Sequence, residues 1–409
     1  MIIRIACAAS LVAVAARADI GDQLAKLLPE DGGEHSHFGA AVALDGHVAI
    51  VGMPFSADGA AYLFDAATGE QLAKLVPEDA TPVDYFGIAV DISGSRAIVG
   101  TYGTYLKDEN GVHLGAAYVF DVFSGRQLYK LINVEDSPGN SFGTSVAIDG
   151  DMAIVGAPGV EGHVSGAAFI FEVESGRQIA KLTPDDRPGD LFGQVVDISD
   201  EIAIVADTVC PGFCHPPPTA TPTVYVFDAT TGKTVAKLYS VDDTCSAFGW
   251  TASISGDHVL VGDCFGPSLF DAKTGARLSQ LRPNDNPQTF GGAVSIFGEI
   301  AIVGAPADHD NGPLAGAAYL FDVGDALHPR QLAKLHANDG DRGDRLGGTV
   351  AVFGSSAVAG ASGDDVNGPY SGSAYLFDAS TCAADINGDG VLNILDFVCY
   401  QGAFLAGCP

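Results

Sequence analysis

A Phe-Gly pair recurs along the chain at Phe38-Gly39, Phe86-Gly87, Phe142-Gly143, Phe192-Gly193, Phe248-Gly249 and Phe290-Gly291. Leu346-Gly347 is a degenerate seventh copy, and successive copies lie 42 to 56 residues apart. A fixed recurrence of this length means that one supersecondary unit is repeated and stacked. The cleanest copy runs from Phe142 to Leu182 and contains four short alternating apolar runs: TSVAI, MAIVGA, AAFIFEV and RQIAKL. Asp149-Gly150, a Gly-rich loop after Pro158, and Ser175-Gly176 separate them. Period-two runs bounded by such turns predict four antiparallel strands joined by hairpins.

The fourth run decides how the units are arranged. LAKL-like segments occur at 24–27, 72–75, 128–131, 179–182, 235–238, 278–281 and 332–335. The first precedes the first Phe-Gly, and none follows the last YLFD at 375–378. The N-terminal strand is therefore expected to supply the outer strand of the last sheet. A ring closed by its two ends in this way is a seven-bladed β-propeller of four-stranded blades. The expected fold class is all-β, with 52 glycines serving many turns and almost no helix-forming stretch between the two ends.

Phe-Gly followed by Ile-Val-Gly-Ala-Pro (154–158 and 302–306), a Gly-rich loop and an aromatic strand resembles the FG-GAP repeats of the integrin α-chain propeller, and most of all those of secreted bacterial FG-GAP repeat proteins. The resemblance covers residues 20–380. It implies a propeller used for binding or adhesion. Integrin-type blades carry a calcium loop in the first hairpin. Here that hairpin is cut to Asp45-Gly46, Ser93-Gly94, Asp149-Gly150 or Ser255-Gly256, with Ser199-Asp200 in the fourth copy, so those calcium sites do not carry over. The repeated FDAxTG at 64–69, 227–232 and 270–275 is similar to quinoprotein propellers, but Trp250 is the only Trp. It is taken as a hairpin turn with Gly at a positive φ.

Residues 1–18 have the pattern of a secretory signal peptide: Arg4, an apolar stretch from Ile5 to Ala16, and Ala16-Arg17-Ala18 before Asp19. The apolar stretch is too short to span a bilayer. The mature chain, 19–381 as propeller and 382–409 as a separate segment, is expected outside the cell or at its surface. The net charge of −31 argues against nucleic acid and anionic membranes as partners. Export permits disulfides. Cys210 and Cys214 are close in sequence, Cys245 and Cys264 flank one hairpin, Cys382 and Cys408 bracket the C-terminal segment, and Cys399 is left over. Spacing alone does not fix these pairings.

The strongest local motif is Asp385-x-Asn387-x-Asp389-Gly390-x-x-Asn393-x-x-Asp396, which places oxygen ligands at EF-hand positions 1, 3, 5, 9 and 12. Val391 would add its carbonyl at position 7, and Ile394, Phe397 and Val398 mark one face of a short following helix. Calcium is the cofactor expected. The segment resembles a GC-type dockerin, from Cys382 to Gly407-Cys408-Pro409, with one loop where cohesin-binding dockerins carry two. That resemblance implies an EF-hand-like, partly helical module with a cohesin-like or anchoring partner.

Within the propeller, the loops from strand four to the next strand one share an end with the loops from strand two to strand three. The former carry a repeated acid: Asp31, Asp79, Asp136, Asp186, Asp243, Asp285 and Asp339. Seven-fold recurrence points to a structural task such as capping turn amides; the other reading is an acidic ring on a binding face. Asp308, Asp310 and Asn311 form a weaker candidate calcium site, with related acidic loops at 107–111 and 364–368. His35-x-His37 is a weak metal pair. No G-x-S-x-G, H-E-x-x-H, P-loop or dinucleotide fingerprint is present, so no catalytic set is named. The expected function is a secreted binding or adhesion propeller, not an enzyme, engaging a protein or glycan through this loop end. The alternatives are a polysaccharide-acting hydrolase or lyase, with carboxylates or a His at the channel mouth, and a purely structural surface protein.

Overall fold

The computed structural model describes residues 19–56, 59–79, 85–101, 107–108, 111–112, 115–133, 141–158, 166–185, 191–208, 221–242 and 245–380. These residues form seven four-stranded antiparallel sheets and a two-residue pair of strands at 107–108 and 111–112. In blade three the strands are Ser145–Asp149, Met152–Ala157, Ala167–Glu172 and Arg177–Leu182. In blade seven Thr349–Phe353, Ser356–Ala361 and Ser373–Asp378 are completed by Gln23–Leu27 from the N-terminus, which pairs antiparallel with the third strand. The closure expected from the LAKL count is therefore present. The innermost strands contact one another in sequence order, blade seven against blade one included, so they form a closed ring. No helix occurs among the described residues. The short helix expected after Asn393, with Ile394, Phe397 and Val398 on one face, lies outside them.

A four-stranded sheet buries neither face alone, and the burial here is done between blades. Seven apolar clusters form, each drawing its side chains from two adjacent blades. Phe142, fully buried, joins Ile98 and Val119 of blade two to Phe169 and Phe171 of its own blade. Its ring meets Phe171 edge-on, 6.0 Å between centroids. Phe38, Phe86, Phe192 and Phe248 repeat this, each with an edge-on contact to the third strand. Such edge-to-face pairs add to the area buried.

The glycine after each Phe has a different task. Gly39, Gly87, Gly143, Gly193, Gly249, Gly291 and Gly347 all have positive φ, between 80° and 96°. A Cβ on Gly87 would lie 2.3 Å from the Ala60 carbonyl oxygen of blade one. The glycine of Ile-Val-Gly faces the next blade just as closely: a Cβ on Gly52 would lie 2.0 Å from the Gly87 oxygen, and one on Gly304 2.0 Å from the Gly347 oxygen. The two glycines of the motif thus let neighbouring backbones touch. In blade four Ala206 replaces the second glycine, and a Cβ on Gly249 beyond it would meet side chains rather than backbone, Val224 Cγ2 at 3.1 Å and Ala206 Cβ at 3.5 Å.

FDAxTG is a hairpin turn, as its chemistry predicts. Asp65 Oδ1 accepts from the backbone N–H of Ala67 and Thr68, and Gly69, at φ 74°, donates to the Asp65 carbonyl. Every third-to-fourth strand pairing also carries a register shift, which in blades one to six falls just before this turn.

The interlock separates two alanine substitutions. Gly46, also at positive φ, has open space where a Cβ would go. Gly46→Ala is expected to lose only the conformational cost of about 1–2 kcal/mol. Gly87→Ala adds a clash with fixed backbone and should lose clearly more in a denaturant titration. Equal losses would show that the close approach contributes nothing.

Candidate functional site

At the end of the ring where strands one and two are joined, the residue before each turn reaches the next blade. Asp45 accepts from the Gly94 amide, Ser93 from Gly150 at 3.1 Å, Asp149 from Asp200 at 2.6 Å, Ser199 from Gly256 at 3.0 Å and Ser255 from Gly298 at 3.0 Å. In blades six and seven Phe297 and Phe353 take this place and pack on each other, 4.1 Å between centroids. Deeper in the channel Asp91 accepts from the Ile148 amide and Asp197 from the Ile254 amide, at 2.7 and 2.8 Å. Ser253 and Ser295 do the same for Ile296 and Val352. These side chains line a channel of about 330 Å³. Its narrow walls desolvate Asp197 and push its carboxyl up to about 6; burial, and then the charge of Asp197, raise Asp91 well above the usual range.

At the opposite end the repeated acid finds its partners. Asp31, on the loop between blades seven and one, accepts from the Tyr62 hydroxyl at 2.6 Å and from the Lys74 ammonium at 2.6 Å. Tyr62 is in the third strand of blade one and Lys74 in the fourth. The ammonium also sits over the Tyr62 ring, 5.6 Å from its centroid. Asp79 binds Tyr118 and Lys130 in the same way in blade two. The acid is a staple pinning each incoming loop to the sheet that follows it. The task is structural, as recurrence predicts, but its partners are a hydroxyl and an ammonium rather than turn amides. Lys74, then Tyr62, hold Asp31 below the usual carboxylate range; burial, then Asp31, raise Tyr62. In blade four Lys237 lies over Tyr225 and pairs with Asp185 at 2.5 Å. Asp136, Asp186 and Asp243 lie outside the described residues.

Blades six and seven add a second acid from the loop between strands two and three. Lys334 Nζ lies 2.7 Å from Asp285, 3.0 Å from buried Asp308 and 2.6 Å from Asp310. The three carboxylates are close enough to share a metal ion, and the lysine's own cation lies among them. Burial would depress this ammonium; Asp285, Asp310, Tyr319 and Asp308 more than offset that and raise it. Asn311, the third member of the weak metal site, reaches toward the Ala337 carbonyl at 3.5 Å. In blade seven Lys26, from the closing N-terminal strand, binds Asp339 at 2.7 Å and buried Asp364 at 2.8 Å. Tyr375 donates to both acids, and Ser373 to Asp364.

Blade five lacks the staple, having Ser268 and Gln280 where the Tyr and Lys stand elsewhere. Here Cys245 on the incoming loop is disulfide-bonded to Cys264 after the second strand, with Cα atoms 5.7 Å apart. Ser240 adds a hydrogen bond to buried Asp263 at 3.0 Å. The covalent bond takes over the tethering of the incoming loop. The connection from strand two to strand three is also cut short. It leaves a cleft of about 410 Å³ toward blade six, walled by Phe265, Arg282, Asp285, Asn286, Thr289 and Phe290. That volume lies within the range of small-molecule sites. Phe265 is 59% exposed and Trp250, on the channel rim nearby, 42%.

An FG-GAP repeat model matches residues 22–64, 70–120, 126–171, 284–321 and 329–377, more than half of the chain. The chain belongs to the FG-GAP repeat family. No curated protein matches it. Among solved structures the RRP9 WD40 repeats match at 12% identity and a TM-score of 0.57, covering 88% of this chain and 99% of that one. A chain of the mitotic checkpoint complex matches at 13% identity and a TM-score of 0.56, covering 90% and 98%. These two likenesses show the propeller fold alone. The FG-GAP matches skip all of blades four and five, where Ala206 and the disulfide replace repeat features.

Of the residues singled out in the sequence, the structure brings together Asp308 with Asp310, and Cys245 with Cys264. His35 and His37 each stack on the Tyr370 ring. Asp385, Asn387, Asp389, Val391, Asn393 and Asp396, and Cys210, Cys214, Cys382 and Cys408, lie outside the described residues. Sequence reading missed the Tyr–Lys partners of the repeated acid. The signal was available: blades one, two, four, six and seven carry both, and blade five has neither.

The FG-GAP staples should differ in weight with burial. Lys26→Met leaves the carboxylate of Asp364, 7% exposed, without its ammonium, and should cost about 3–5 kcal/mol in equilibrium unfolding. Lys74→Met acts on a pair 39% and 53% exposed and should cost about 1 kcal/mol or less. Asp364→Asn in the Lys26→Met background should recover part of the loss.

Proposed function

We propose that this FG-GAP propeller is an exported binding or adhesion module that engages its ligand with the loop end of the ring, and that residues 382–409 are a calcium-binding, dockerin-like tag for anchoring or complex assembly. The observation that carries the first part is the cleft at blade five, opened where one copy gives up its staple and its long loop. Rigid blades hold that end in place, and loops on a rigid scaffold are where binding resides. Phe55, Val241, Trp250, Phe265 and Tyr370 are all exposed there. The tag rests on the oxygen-ligand spacing from Asp385 to Asp396, and export on the signal-like N-terminus.

A polysaccharide-cleaving enzyme would need carboxylates or a His at the channel mouth. The rim on the loop end is Ala40, Ile88, Thr144, Gln194, Trp250, Gly292 and Gly348, and the carboxylates at the other end and inside, Asp45, Asp91, Asp149 and Asp197, each accept from a backbone amide of the next blade. The binding reading is the one this rim supports.

Two measurements test the proposal. Calorimetric titration of the mature chain with calcium should show one site, lost in Asp389→Ala; no bound calcium would remove the tag. Against a panel of neutral polysaccharides and basic peptides, Phe265→Arg should weaken binding at least tenfold. Phe123→Arg, at an 85% exposed position in a turn between strands three and four on the other end, should leave it unchanged. Equal effects would show that the loop end is not the binding face.

A further inference from the structure

A second part of the loop end carries a row of aromatic rings that the fold does not require. Tyr370, on the loop between strands two and three of blade seven, lies against His35 at 5.9 Å and His37 at 5.5 Å between centroids, both nearly parallel to it. His37 meets Phe55 at 5.1 Å, and Phe55 meets Tyr85 at 5.4 Å. The row crosses from blade seven over blade one to blade two. Phe55 and Tyr370 are each 49% exposed.

The repeat supplies an internal control. The backbone under this row is a parallel pairing in which His35, His37 and Phe38 donate to the carbonyls of Pro369, Tyr370 and Ser371. The same pairing occurs one blade earlier, where Gly343, Arg345 and Leu346 donate to Pro313, Leu314 and Ala315. There the ring positions hold Gly343, Arg345 and Leu314, so the scaffold forms without rings. His35 also has φ 59° at the position where its counterpart is Gly343. Left-handed φ at the other positions is shared by the control, in Arg345 and Leu314 as in His37 and Tyr370, so the scaffold accounts for it there; only at His35 does the control use glycine.

We propose that the row His35–Tyr370–His37–Phe55–Tyr85 is a platform for a neutral glycan chain. The inference deepens the binding reading and rests on it. Four of the five rings carry an N–H or O–H, which suits a ligand with hydroxyls at its edges and C–H faces for stacking. Adjacent rings beyond His37 pack edge-on, at 67° and 71°, and in contact. They leave no slot between them for a prolyl ring, which argues against a proline-rich peptide. The net charge of −31 argues against stacked nucleobases, whose phosphates would be repelled.

The test is affinity electrophoresis of the full chain in gels containing neutral polysaccharides: a β-glucan, a xylan and a mannan. Wild type should be retarded by at least one. Phe55→Ala with Tyr370→Ala should weaken that binding at least tenfold, and Leu314→Ala should leave it within twofold. His35→Gly should weaken binding while leaving Tm unchanged or higher, a combination that a structural role for the ring would not produce. Absence of retardation by every polysaccharide, or equal retardation of wild type and the ring variants, overturns the platform. Loss of binding in Phe265→Arg alone would assign the ligand to the blade-five cleft, leaving the binding reading intact and this proposal refuted. Ring-dependent capture of a synthetic proline-rich peptide in place of the glycans would refute the ligand class.

Discussion

The structure depends on the contact of one blade's backbone with the next, made where Gly87 meets Ala60 and Gly52 meets Gly87. No side chain fits there, and no single blade can supply the contact. Everything else follows from that approach. It brings the Phe ring before the glycine into a core shared by two sheets. It sets the inner strands near enough for Asp149 or Ser199 to reach the next turn amide. It also fixes the incoming loop so that Asp31 can meet Tyr62 and Lys74. Three kinds of link therefore recur around the ring: apolar burial between every pair of blades, amide clasps at one end in most of them, and charged staples at the other in most of them.

Those links differ in tolerance. Buried phenylalanines are costly to lose, about 3–5 kcal/mol when truncated to Ala. Exposed ion pairs contribute little, so most staples can be altered without opening the ring. Blade five shows this: its staple is gone, and the Cys245–Cys264 bond holds the loop in its place. The exception is the closing staple, where buried Asp364 faces Lys26 from the other end of the chain. Variation is permitted at the loop end because the burial that maintains the ring lies elsewhere. The cleft over blade five and the aromatic row over blades seven, one and two both occupy that permissive end.

Much of this was legible in the sequence because it is periodic. Seven Phe-Gly registers and a displaced LAKL gave blade number and closure, and a predicted hairpin turn put Cys245 opposite Cys264. The repeated acid was recognised as structural from its recurrence, yet its partners were not. Tyr62 and Lys74 lie 31 and 43 residues from Asp31, and only the blade geometry joins them. His35-x-His37 is only a weak metal pair in the sequence. Their stacking partner Tyr370 lies at the other end of the chain, and ring closure alone brings it beside them. The cluster of Asp308 and Asp310 suggested calcium because Lys334, whose cation lies between them, belongs to a different strand.

The central claim is that the blades are stable only as a closed ring of mutual interfaces. Hydrogen exchange on a chain lacking residues 19–28 tests it most directly, since that deletion removes the closing strand and Lys26 while leaving blades one to six complete. The account predicts that the inner-strand amides of blades one and six lose protection together with those of blade seven. Loss of protection confined to blade seven, with its neighbours as protected as in the intact chain, would contradict it.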